Sequence, residues 1–226
     1  MTLCIEAGEA LAVRQDLLRR RKGGRDPRGI VIHTTGAGPW VRWNKNPEKF
    51  ASPYEAAVYI YERISKYSGH YVVDGDSGLV TTLVDTDVVA WHVGSKGSWR
   101  YKLPTWAKGK GFGWFEARFG KGSSPRDLLD GHLWRKGSAN ELTIGIEVSP
   151  PKEGARAEWS PECWRALKSL TRHLGKKHGI PLDRFHVITH SDAHPLARTR
   201  KNGSPWDPSP RQWLVEGATI ELNLLK

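Results

Sequence analysis

Three residues able to do chemistry stand at the ends of hydrophobic runs. His33 closes Gly29-Ile-Val-Ile-His33, His190 ends the run from Phe185 to Thr189, and Glu147 lies near the end of Leu142-Thr-Ile-Gly-Ile-Glu-Val148. Two neutral imidazoles can bind Zn²⁺, and one carboxylate completes a set of three protein ligands that leaves the fourth position to water. Asp207, in Trp206-Asp-Pro-Ser-Pro210, is a candidate for that carboxylate, although spacing alone does not choose it over Asp192. His194 follows His190 at a spacing that binds metal on a helix, but Pro195 argues against a helix there.

The elements that must hold these residues are legible from hydrophobic period and turn chemistry. Gly29 to His33, Leu142 to Val148 and Phe185 to Thr189 read as buried strands. His70-Tyr-Val-Val73 and Leu79 to Val84 read as a hairpin around the Gly- and Asp-rich turn Asp74-Gly-Asp-Ser-Gly78. Residues 36–52 read as a loop. Ser52-Pro53 opens a helix with Ala57, Ile60, Ile64 and Tyr67 on one stripe. Ser160-Pro161 opens a second, with Cys163, Leu167, Leu170 and Leu174 as its core stripe and Gly179 at its end. Strands alternating with helices predict an α/β fold, a single domain with a central mixed β-sheet flanked by helices. In such sheets the functional groups gather at strand ends.

Charge divides the chain. The 226 residues carry 35 Lys and Arg against 24 Asp and Glu, a net +11. Residues 1–29 hold seven basic and four acidic residues, and the segment 95–140 holds ten against three. The remainder is close to neutral. Residues 1–29 therefore read as a basic leader before a main domain of 30–226. Within the leader, Leu11, Val13, Leu17 and Leu18 with Arg14, Arg19, Arg20, Arg21 and Lys22 have the makings of a short basic amphipathic helix, which could touch a membrane surface but reads first as a solvated leader helix. The segment 95–140 has eight glycines and four tryptophans and reads as a long Trp-rich basic insertion, a functional loop rather than a packed domain. The two cysteines, Cys4 and Cys163, offer no disulfide framework. No signal-peptide h-region opens the chain and no apolar stretch is long enough to span a bilayer. The expectation is synthesis in the cytoplasm, as a monomer.

Six stretches carry a resemblance: Val31-Ile-His-Thr-Thr35, Gly69-His-Tyr-Val-Val-Asp74, Ala90-Trp-His-Val-Gly94, Leu142-Thr-Ile-Gly-Ile-Glu147, Thr189-His-Ser-Asp192 and Trp206-Asp-Pro-Ser-Pro210. Each alone is weak. Together, in this order, the sequence resembles the zinc-dependent N-acetylmuramoyl-L-alanine amidases of the type-2 amidase and peptidoglycan-recognition superfamily. The resemblance covers roughly 30–94 and 141–215.

The resemblance implies Zn²⁺ held by His33, His190 and Asp207, with Glu147 as the catalytic carboxylate. It also implies peptidoglycan or muropeptides as substrate. Many relatives have a Lys two residues before the last ligand, where this chain has Pro205. Arg198, Arg200 or Lys201 could take that place, with Lys201 the preferred choice. His92 and Trp91 fall at a position near the family's substrate groove. The insertion lies between two motifs that flank the site, so it should border the groove. There Trp99, Trp106, Trp114 and Trp134 could stack on sugar faces, and the basic side chains could meet an anionic wall polymer. His70 reads as structural or as support behind the site.

Two biological roles fit this reading: a lytic, endolysin-like wall hydrolase, and a cytoplasmic recycling amidase acting on anhydro-muropeptides. A non-catalytic peptidoglycan-binding module would need an impaired metal site, and the ligand-capable residues at all three positions argue against it. The net charge alone would suit a nucleic-acid protein. The sequence carries no helix-turn-helix, zinc-finger or RNA-binding signature, and the neutral body is a poor nucleic-acid platform.

Overall fold

The computed structural model describes residues 19–21, 26–64, 68–93, 139–154, 157–182 and 186–190. In chain order the elements are β1 (Arg19–Arg20), β2 (Gly29–Thr34), α1 (Ala37–Lys45), α2 (Pro53–Tyr59), β3 (Tyr71–Val73), β4 (Val80–Thr82), β5 (Val88–Val89), α3 (Ala139–Leu142), β6 (Thr143–Val148), α4 (Pro161–His178) and β7 (Val187–Thr189). A five-stranded sheet runs in the order β4-β3-β6-β2-β7. Only the β3–β4 pair is antiparallel; β3–β6, β6–β2 and β2–β7 are parallel. The sheet is therefore mixed, as the hairpin around residues 74–78 requires.

The central strands are apolar almost throughout because both faces are covered. Side chains alternate between faces. Ile30, Ile32, Ile144, Ile146 and Val148 pack with α4 through Leu167, Leu170 and Leu174. On the other face, Val72 packs with Tyr54 and Ala57 of α2 and with Leu83 and Val84. The odd-numbered positions Val31, His33, Gly145 and Glu147 share that second face. A single alternation thus separates the core from the chemistry.

The expected helix signals hold. The Ser160 side chain accepts the Cys163 N–H at 3.0 Å, Pro161 follows the cap, and Gly179 ends α4 with φ 64°. This left-handed φ is where glycine costs least. The Ser52 side chain likewise accepts the Glu55 N–H, at 3.2 Å. After Tyr59 the helix widens into a π turn over Ile60–Ile64.

Two expectations change. Residues 36–52 are not wholly a loop, because α1 occupies Ala37–Lys45. Gly38 and Pro39 punctuate its first turn, where backbone N–H groups have no helical partner in any case, so neither breaks it. Arg19 and Arg20 lie in a strand rather than a helix, paired antiparallel with Val89 and Val88. Arg21, in the same basic run, is buried. Among the described residues no helix is long and apolar enough to cross a membrane.

Candidate active site

Strand register builds the site. In the β2–β6 pair, His33 stands opposite Glu147, and in the β3–β6 pair Val72 does. Ile32 of β2 pairs with Thr189 of β7, and His190 follows directly. Three neighbouring strands therefore deliver His33, Glu147 and His190 to one end of the sheet, and all three are buried.

Their contacts are specific. His33 Nδ1 and His190 Nδ1 face each other at 2.9 Å, with the rings crossing edge to face. Glu147 Oε1 lies 3.8 Å from His33 Nδ1. On the far edge of the same ring, His33 Nε2 meets His92 Nδ1 at 2.9 Å, and His92 Nε2 meets Thr143 Oγ1 at 3.2 Å. The backbone of His92 is fixed as well. Asn140 Oδ1 accepts the N–H groups of His92 and Val93 at 2.9 and 2.7 Å.

His70 supports this layer from below. Its Nδ1 accepts the Gly145 N–H at 2.9 Å, so its other nitrogen carries the proton and donates to the Val88 carbonyl at 3.0 Å. Burial, then the nearby His92 and Arg21, holds the His70 pKa well below 6.5. Burial lowers His92 to about 3, against a hydrogen bond that the ring donates to the Thr143 backbone carbonyl, and the Arg21 charge adds to the lowering. Both rings are neutral at physiological pH.

Glycines make room for these groups. A Cβ on Gly145 would stand 2.5 Å from His92 Cγ, and a Cβ on Gly69 would stand 2.9 Å from Glu147 Cγ. The Gly of the Ile-Gly-Ile-Glu run is thus the seat of a histidine ring.

The structure brings together His33, His190, Glu147 and His92 from the sequence expectation. His92 is 4% exposed, behind His33 rather than on an open groove. Trp91 is half-buried, and its backbone exchanges hydrogen bonds with Ser68 at 3.0 and 3.1 Å. Asp207, Lys201, Trp99 and Trp114 lie outside the described residues, as does the insertion up to residue 138. Among the described residues, no group of three or more His, Cys, Asp or Glu could hold a metal ion. Sequence reasoning missed Arg21, Asn140 and Thr143. Arg21 and Asn140 lie outside the motifs, and Thr143 lies inside one that marks the strand and Glu147 but not its contact with the distant His92.

Several solved structures resemble this chain. They include a selenomethionine derivative of AmpD, 17% identical over 82% of this chain and 83% of that one, with a TM-score of 0.43. A mutant endolysin from Bacillus subtilis is 18% identical over 97% and 94%, with a TM-score of 0.42. AmiD from E. coli, in complex with the substrate anhydro-N-acetylmuramic acid-L-Ala-D-gamma-Glu-L-Lys, is 16% identical over 76% and 52%, with a TM-score of 0.36. No curated protein matches the chain. The sequence profile described as N-acetylmuramoyl-L-alanine amidase matches residues 23–210, most of the chain and all the strands of the five-stranded sheet. By that match the chain belongs to the N-acetylmuramoyl-L-alanine amidase family and is an enzyme of that class.

Proposed function

We propose that this amidase is zinc-dependent, that His33, His190 and Asp207 hold the metal, and that it cleaves intact peptidoglycan between the lactyl group of N-acetylmuramic acid and L-alanine. The observation that carries the reading is the approach of His33 Nδ1 to His190 Nδ1 at 2.9 Å beside the Glu147 carboxylate. Two nitrogens on one tetrahedral zinc stand about 3.3 Å apart, given Zn–N bonds of about 2.0–2.1 Å. The donor types and their separation fit that metal to within a few tenths of an ångström.

Zinc, when bound, lowers the pKa of water toward about 7 and polarises the carbonyl under attack. Glu147 accepts the proton of the attacking water and passes it to the departing L-alanine nitrogen. One C–O bond forms, the C–N bond breaks, and the water proton ends on the amine. Glu147 is buried, with Oε1 3.8 Å from the His33 Nδ1 proposed to hold the metal. Lys201 is assigned to steady the oxyanion. Trp91, Trp99 and Trp114 are assigned to the sugar and peptide of the substrate.

The basic excess of residues 95–140 favours intact, anionic wall over soluble fragments, which supports a lytic role over recycling. The test is mass spectrometry of products from purified sacculi and from soluble anhydro-muropeptides, with and without a chelator. Stem peptides with a new N-terminal L-alanine, released faster from sacculi and lost on chelation, are expected. Faster release from the soluble fragments would replace the lytic reading with recycling. Chelator-resistant activity would remove zinc from it.

A further inference from the structure

Arg21 is a buried cation from the run just before the first strand of the main sheet, 5% exposed. Its guanidinium donates Nε to the Thr86 carbonyl at 2.8 Å, Nη1 to Glu141 at 2.5 Å and to Asn140 at 3.4 Å, and Nη2 to Thr143 at 2.9 Å. Three of these four carbonyls belong to the turn from α3 into β6. That turn also carries the two side chains that hold His92: Asn140 Oδ1 on the His92 backbone and Thr143 Oγ1 on its ring. His92 in turn meets His33 Nε2.

We propose that Arg21 and Asn140 form a positioning clamp that acts through His92 to aim His33 Nδ1 at His190 and Glu147. The proposal rests on the zinc-amidase reading above. With Nε2–H of His33 donated to His92 Nδ1, the lone pair of His33 sits on Nδ1, the nitrogen that faces His190. His92 can accept that hydrogen bond only if its own proton is on Nε2, where Thr143 Oγ1 receives it. Neither ring can turn about its Cβ–Cγ bond without losing both contacts. The backbone of His92 cannot shift without leaving Asn140 Oδ1. The Asn140 backbone cannot shift without uncovering the Arg21 charge, whose loss of hydration these carbonyls offset. Groups that orient a metal-binding histidine from its far side commonly change metal affinity or activity by about 10–100-fold when removed.

The experiment compares wild type with Asn140→Ala, Asn140→Asp, Arg21→Met and Arg21→Lys in the full chain. Zinc affinity is read by competition with a chromophoric chelator. The His33 and His92 tautomers are read from long-range ¹H–¹⁵N correlations, and kcat and KM on muropeptide are measured separately. Each measurement is made well below the thermal midpoint of the variant. The expected result for Asn140→Ala is about 10–100-fold weaker zinc binding, a mixed His33 tautomer and a fall in kcat at near-constant KM. Asn140→Asp keeps the Oδ1 acceptor and should recover most of that loss. If Arg21→Met does not fold, the Asn140 pair decides the matter alone. Wild-type zinc affinity and a single His33 tautomer in Asn140→Ala would overturn the clamp, leaving a structural staple that moves only the thermal midpoint. If wild type itself neither binds zinc nor releases L-alanine stems, the functional reading fails, and the clamp fails with it.

Discussion

Gly145 lies under the imidazole of His92 so closely that a methyl on its Cα would stand 2.5 Å from the ring Cγ and 2.7 Å from Nδ1. The strand backbone beneath the ring also donates its N–H to His70. One glycine therefore seats two histidines, one by leaving space and one by a hydrogen bond. Its conformation is not the reason for the residue, since its φ is not positive. Gly145→Ala should cost about 1–3 kcal/mol by overpacking. It should also depress activity at temperatures where the variant is still folded, because the displaced ring is the one that meets His33. Thermal melts and initial rates on the same samples check this. Full activity in a destabilised but folded variant would show that the His92 position is immaterial.

Glu147 is held by register between His33 and Val72, with its stem packed on the backbone of Gly69. A carboxylate that shuttles protons should be irreplaceable by its amide, which cannot accept a proton at neutral pH. Glu147→Gln should lower kcat by about 10²–10⁴-fold. Its zinc content should match wild type, since Glu147 is not proposed as a ligand. Metal analysis and kcat on the same preparation separate the two effects. A variant with full zinc and wild-type kcat would assign the proton transfer elsewhere.

The sheet and its chemistry were legible because both are written in short-range pattern. Strands buried on both faces leave apolar runs, and a His or Glu at the end of such a run stands out against Ile and Val. The caps of α4 were readable for the same reason, since Ser160, Pro161 and Gly179 each solve a local backbone problem. The helix at Ala37–Lys45 was hidden because Gly36, Gly38 and Pro39 are also loop residues, and only the packing of α1 on α2 settles their conformation. In sequence Arg21 belongs to a basic run of the solvated or membrane-facing kind. Its burial depends on carbonyls some 65 to 122 positions away, which no local period records. His92 carried a motif but not its direction. Whether it faces a groove or backs His33 is decided by Asn140, 48 residues on.

Ser160 offers a control for stability without chemistry. Its hydroxyl accepts the Cys163 N–H at 3.0 Å and donates to the Asp76 carbonyl, so it caps α4 and ties it to the turn after β3. Ser160→Ala should destabilise the fold by about 0.5–2 kcal/mol. The core stripe of α4 faces away from the site, so the folded enzyme should turn over at the wild-type rate. Urea unfolding and activity below the transition would measure both. A large loss of kcat here would mean that α4 transmits its position to the strand ends.

The segment 97–138 holds much of the basic excess and four of the eleven tryptophans. If it attaches the enzyme to wall, its deletion should weaken binding to sacculi and make what remains less sensitive to salt, since screening acts on exposed charges. Zinc affinity should change much less than wall binding. Pelleting with sacculi over a range of ionic strengths is the measurement. Undiminished pelleting after deletion would send the basic charge to some other task.

His70 makes the stability of the fold depend on pH with a definite sign. Burial holds its pKa well below 6.5, so the folded protein keeps it neutral while the unfolded chain protonates it below 6.5. In that window the unfolded state binds more protons, and stability rises with pH. The contribution is fully present above pH 6.5 and is lost as pH falls from there toward the folded-state value. His92, lowered to about 3, acts in the same direction. Since the pH dependence of the whole protein sums many groups, the clean quantity is a difference. The advantage of wild type over His70→Asn, which cannot be protonated in this range, should shrink below pH 6.5 by about 1.4 kcal/mol per pH unit. Urea unfolding of both proteins between pH 7.5 and 5, at equal zinc loading, measures it. A constant difference across that range would mean that the His70 pKa is not depressed in the fold, and that its hydrogen bonds to Gly145 and Val88 do not require a neutral ring.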